Sequence, residues 1–160
     1  MSDHSPDTQL WELMGKIRTA MLVTRHGDLL QSRPMSAYPD RDARRIFFIT
    51  HMKTEKTHEI GAGDPVNLAF ADTSAQDYIS VEGHARVVQD VARQKKLWNA
   101  FAEAWLPQGP EAPDVGLIEV TPVHATYWNA PSNRLVELWK VGVANVTQTP
   151  PSSEVKSVDL

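Results

Sequence analysis

Two threonine hydroxyls and a lysine ammonium, those of Thr50, Thr54 and Lys56, stand close together in the stretch from Arg45 to Glu59. Ile46, Phe47, Phe48 and Ile49 form a β-branched and aromatic run that predicts a buried strand, and Thr54 followed by Glu55 predicts a helix start running to about Ala62. Hydroxyls, the N–H groups a first helical turn leaves free and a mobile positive charge would thus meet at a strand end, which suits an anion such as phosphate. Local sequence also allows an ordinary cap and a solvated lysine. His51 and His58 lie nearby, but His58-Glu59 lacks a second histidine four residues on, so no metal site is expected. There is no cysteine and no Gly-x-Ser-x-Gly elbow, and no side chain reads as a general acid or base, so a catalytic residue is not assigned.

The surrounding elements follow from periodicity. Ser5-Pro6 with Leu10, Leu13, Met14 and Ile17 predicts an amphipathic helix ending near Arg18. Ala20 to Thr24, the turn residues His26-Gly27-Asp28 and the run from Leu29 onward predict a hairpin, with Pro34 at an edge, a bulge or a strand end. Pro39 to Asp42 reads as a turn, Asp64-Pro65 as the close of the short helix, and Val66 to Ala71 as a strand. From Tyr78 to Val88, Tyr78, Ser80, Glu82, His84 and Arg86 take one face of a strand bent at Gly83. Asp90 caps a helix in which Val91, Trp98, Phe101 and Trp105 recur as a packing face. Val115 to Trp128 is extended with an interruption at Pro122, and Leu135, Leu138, Trp139 and Val143 give a last helical face. Six strands joined mostly by tight turns, with three or four helices, predict a mainly β domain: a small antiparallel barrel with helices outside.

At 160 residues the chain reads as one domain, residues 1–146, with a polar tail over 147–160 that stays mobile unless a partner holds it. A net charge of −4 and 22% charged residues give no support for nucleic-acid binding, and no apolar run approaches the roughly 20 residues of a membrane span. The absence of cysteine and of a basic, then apolar, leader reads as a cytoplasmic protein.

The strings Ser32-Arg33-Pro34-Met35, Phe47-Phe48-Ile49-Thr50, Thr54-x-Lys56, Pro65-Val66-Asn67-Leu68, Tyr78-x-Ser80-Val81-x-Gly83, Leu97-Trp98, Ala104-Trp105-x-Pro107-x-Gly109 and Tyr127-Trp128 fall in a shared order. Across roughly residues 8 to 145 the chain resembles the general stress protein 26 branch of the pyridoxamine 5′-phosphate oxidase-like, FMN-binding split-barrel proteins. The resemblance implies a six-stranded antiparallel split β-barrel and a homodimer with a flavin, FMN or alternatively FAD, at each of two interface clefts. It implies that Arg33, Thr54 and Lys56 meet the phosphate, and that Pro34, Met35, Ser36, Ile49 and Thr50 line the ring and ribityl chain. Tyr78 takes the place of a glutamine of the true oxidases, and Trp105 and Trp128 are candidates to cover the ring.

Two departures qualify what carries over. Glu55 stands where the true oxidases have a basic residue, and Ser132-Asn133-Arg134-Leu135 replaces their Arg-x-His segment, so oxidation of pyridoxamine phosphate itself is not expected. The implied activity is a flavin-dependent oxidoreductase with a small-molecule electron donor such as NAD(P)H. The alternatives are a flavin-binding or flavin-storing stress protein without turnover, and a structural dimeric module whose cleft is empty or takes another phosphate ligand.

Overall fold

The computed structural model describes residues 5–61, 63–129 and 154–160. In chain order they form α1 (Pro6–Ile17), β1 (Thr19–His26), β2 (Leu29–Ser36), β3 (Tyr38–Asp40), β4 (Arg45–His51), α2 (Glu55–Glu59), β5 (Asp64–Asp72), β6 (Asp77–Val88), α3 (Val91–Leu97), α4 (Ala100–Trp105), β7 (Val115–Asn129) and β8 (Glu154–Asp159). All eight strands belong to one antiparallel sheet in the order β2-β1-β5-β6-β7-β4-β3, with β8 also on β7. β7 pairs with β6 along one edge, while its other edge is divided: residues 115–120 hold β4 and residues 124–129 hold β8.

The expected mainly β class with flanking helices stands; the count rises from six strands to eight. One addition is β3, where Tyr38-Pro39-Asp40, expected to begin a turn, pairs with Arg45 to Phe47. Pro39 is tolerated because β3 is the sheet's edge. The other is β8, in the stretch expected to trail as a tail. Val158 and Leu160 pack against the core, which fastens that stretch to β7.

Local chemistry explains most boundaries. Ser5 caps α1 by accepting the Thr8 N–H, and Leu10, Trp11, Leu13 and Met14 turn inward. Gly27, at φ 60°, closes the two-residue turn between β1 and β2, as expected of a hairpin. Asp64-Pro65 opens β5 rather than closing α2, which stops at Glu59. The single helix expected after Asp90 is two short ones, because Asn99 accepts the N–H groups of Phe101 and Ala102 and starts α4 afresh. The helical face at Leu135, Leu138, Trp139 and Val143, and the Ser132 to Leu135 segment, lie outside the described residues.

One core unites α1 with the inward rows of the sheet, including Leu22, Phe48, Leu68, Phe70, Ile79, Val81, Ile118 and Tyr127. β6 alternates as expected, and its bend at Gly83 is a bulge opposite Pro122, which has no N–H to give the ladder. A Cβ on Gly83 would lie 2.5 Å from the Thr121 carbonyl oxygen. Gly83→Ala should therefore destabilise the fold by about 1–3 kcal/mol, measured by urea or thermal unfolding.

Candidate functional site

A cleft of about 520 Å³ opens between the ends of β2 and β4 and the short helix α4. Pro34, Met35 and Ser36 come from β2, Ile49, Thr50 and His51 from β4, Lys56 from the first turn of α2, and Phe101 and Trp105 from α4. Its size suits a small ligand or cofactor, its walls are mainly apolar, and its polar groups are few. Seven of the eleven expected site residues therefore converge: Pro34, Met35, Ser36, Ile49, Thr50, Lys56 and Trp105. Phe101, expected to be core, is 59% exposed beside Trp105, with ring centroids 6.2 Å apart.

Lys56 carries the site's electrostatics. It is half-buried and makes no ion pair with a carboxylate among the described residues. Burial first, and the Arg33 guanidinium second, push its ammonium below the ordinary lysine range. Two cations are thus held near each other, and one of them, Lys56, stands in the wall of the apolar cleft.

Arg33 does not line the cleft wall. Its Nη1 donates to Thr24 Oγ1 (2.9 Å), and its Nη2 donates to Gln31 Oε1 (2.9 Å) and to Glu59 Oε2 (2.8 Å). Three of the roughly five N–H groups of a guanidinium are committed, leaving two for an anion. The Thr54 hydroxyl donates to the His51 carbonyl (3.2 Å), so it must rotate to serve a ligand. Thr57 secures the same turn: its hydroxyl accepts the Thr54 N–H (3.1 Å) and lies within hydrogen-bonding reach of the Met52 and Thr54 carbonyls.

Glu59, unassigned by sequence reasoning, ties these parts together. Its carboxylate accepts from Thr24 Oγ1 (2.5 Å) and Arg33 Nη2 and meets His26 Nδ1 at 2.8 Å. Burial opposes its charge, but the hydrogen bonds from Thr24, Arg33 and His26 outweigh burial and bring its pKa from 4.5 down to about 2. Because the native value lies below the unfolded one, this stabilisation is complete above about pH 4.5 and is lost as pH falls through about 2. Acid unfolding followed by circular dichroism should show stability declining across that window, and Glu59→Gln should flatten the decline. The available signal was Thr24, a hydroxyl on the inward face of β1 after Ala20 and Leu22, which demanded a buried partner.

Tyr78 and Trp128 do not line this cleft. They face each other across β6 and β7 on the outer side of the sheet, with Val155 beside Trp128 and Met21 farther along. These residues leave a partly exposed apolar surface, Tyr78 at 39% and Trp128 at 36%.

His51 and His124 are both engaged by near neighbours. His51 Nδ1 accepts the Lys53 N–H, which leaves Nε2 to donate to Asp114 Oδ2 at 2.8 Å. A Ser-His-Asp chain, excluded on motif grounds, does form on the outer sheet face: Ser157 Oγ to His124 Nε2 is 2.7 Å and His124 Nδ1 to Asp159 Oδ1 is 2.9 Å. Asp159 is 98% exposed and neither Ser157 nor His124 lines the cleft, so the trio lacks the desolvated setting a nucleophile needs.

An antiparallel sheet whose central strand shares one edge between two partners, with helices outside and a cleft at the strand ends, defines a split barrel. The chain belongs to the family described as pyridoxamine 5′-phosphate oxidase like, whose model matches residues 5–152. A general stress FMN/FAD binding protein from Xanthomonas citri is 26% identical, with TM-score 0.70 over 79% of this chain and 90% of that one. General stress protein 26 from Bacillus anthracis str. Sterne is 28% identical, with TM-score 0.65 over 74% of this chain and 93% of the other. Protein bli-3 of Neurospora crassa is 27% identical over 88% of this chain and 73% of its own length. Among the described residues, no helix is long and apolar enough to cross a membrane.

Proposed function

We propose that the protein binds a flavin nucleotide in this cleft and acts as a cytoplasmic, flavin-dependent oxidoreductase in a stress response. The observation that carries the proposal is Lys56: a half-buried ammonium in the wall of an apolar cleft, near a second cation and without a carboxylate partner among the described residues. The donor set fits a phosphate-bearing planar ring. Lys56, the two remaining N–H groups of Arg33, the Thr54 hydroxyl and the first amides of α2 would hold the phosphate. Ser36 and Thr50 offer hydroxyls to the ribityl chain, while Pro34, Met35 and Ile49 flank the ring and Trp105 covers it.

When bound, the flavin supplies reversible hydride and electron transfer; the protein supplies orientation and shielding from water. Tyr78 and Trp128 reach such a ring only from another copy of the chain, and their outer apolar face favours a homodimer. Both ring nitrogens of His51 are engaged, so that side chain fixes the turn rather than moving protons. With no proton-transfer group assigned in the cleft, a flavin carrier without turnover is the second reading.

Purified protein should be yellow, run at the mass of two chains and lose flavin absorbance when NAD(P)H is added anaerobically. Flavin binding without bleaching by NAD(P)H favours the carrier, and failure to bind any flavin in titration contradicts both readings.

A further inference from the structure

We infer that Tyr38 and Asn99 are positioning residues for the cleft: the hydrogen bond between their side chains latches α4 in place, so that Phe101 and Trp105 stand as the cleft's outer wall and the departure of a bound flavin is slowed. The inference rests on the flavin reading above and adds to it the two residues that set how long the ligand stays.

α4 is weakly rooted. It is six residues long, and Ala102 is its one buried side chain, while Phe101, Glu103 and Trp105 are exposed. Its flanks are extended or turning backbone: Trp98 (φ −62°, ψ 136°) and Asn99 (φ −150°, ψ 175°) part it from α3, and Gly109, at φ 87°, turns the chain that follows. A short helix between two such joints, with little apolar area beneath it, opens readily unless something else fastens it. Asn99 supplies the fastening. Its Oδ1 accepts the N–H groups of Phe101 and Ala102, which leaves Nδ2 to donate to the Leu97 carbonyl (3.3 Å) and to Tyr38 Oη (2.8 Å). Among the described residues, the bond to Tyr38 is the one hydrogen bond from residues 99–105 to an element beyond α3 and α4; the bond from Trp98 Nε1 to Glu103 Oε2 only spans the joint itself. Tyr38 is a firm anchor, because it pairs in β3 with Phe47 of β4, the strand that carries Ile49 and Thr50 into the cleft. One bond therefore sets the aromatic wall against the strand wall. Tyr38 lines the cleft, whereas Asn99 stands outside it.

The test follows α4 and the ligand separately in the full chain. Tyr38→Phe removes the hydroxyl from inside the cleft and keeps the ring. Asn99→Ser cuts the same bond from outside the cleft and keeps a cap, since serine caps well but is too short to reach Tyr38. Asn99→Asp keeps both, its carboxylate accepting the helix amides and the Tyr38 O–H. In flavin-free protein, deuterium exchange of the Glu103 and Leu106 amides, read by NMR, should quicken about two- to tenfold in Tyr38→Phe and Asn99→Ser, the range of one hydrogen bond. Asn99→Asp should stay at the wild-type rate, and β4 should be unchanged in all three. Release of FMN in stopped flow should quicken by a similar factor in the two cut variants and not in Asn99→Asp. Equal α4 exchange in wild type and both cut variants overturns the latch. Faster release in Tyr38→Phe alone also overturns it, because the hydroxyl would then touch the ligand directly, and faster exchange with unchanged release denies α4 a part in holding the ligand. Wild type that binds no flavin defeats the reading beneath the inference, while the exchange comparison still decides the latch.

Discussion

Lys56→Ala should weaken binding of a flavin nucleotide by about 1.5–3 kcal/mol, roughly a ten- to 150-fold rise in Kd, while the midpoint of thermal unfolding stays nearly constant. Its ammonium is partly withdrawn from water and lacks a protein counter-ion among the described residues, so its electrostatic energy is unsatisfied until an anion arrives. Removing it cancels a charge-assisted contact without opening a core cavity. Riboflavin serves as the control, because it carries the ring but no phosphate. Equal losses for riboflavin and the nucleotide would place Lys56 against the ring instead, and unchanged affinity for both would remove it from the site.

Phe48→Ala should act the other way, lowering stability by about 3–5 kcal/mol. Phe48 is fully buried in the middle of β4, paired with Ile118 of β7, and belongs to the cluster that joins α1 to the sheet. Truncation leaves a cavity where the barrel's inner rows meet. Because Ile49 and Thr50 follow directly on the same strand, loosened packing also blurs the cleft. Denaturant unfolding measures the loss; a change below about 1 kcal/mol would mean that β4 is not a core strand.

The residues that were legible in the sequence signal locally. Ile46 to Ile49 announced a buried strand by composition and Tyr78 to Val88 by strict alternation, and the cap residue Thr54 announced the start of α2, which puts Lys56 in its first turn. β3 and β8 were not legible because one contains Pro39 in a turn-like setting and the other is short and polar until it docks on β7. Asn99 interrupts a helical periodicity that Trp98, Phe101 and Trp105 otherwise continue, so Phe101 passed for core although it lines the cleft. Glu59 was beyond local reading for a different reason. Its partners Thr24 and Arg33 lie 35 and 26 residues away, and only the folded sheet brings a hairpin and α2 together.

A crystal structure of the protein grown with a flavin nucleotide bears most directly on the central claim. The expected density has the ring between Met35, Ile49 and Trp105, and a phosphate oxygen against both Lys56 Nζ and the Arg33 guanidinium, with Tyr78 and Trp128 of a second copy closing the cleft. A flavin bound elsewhere, or a phosphate turned away from Lys56, would contradict it.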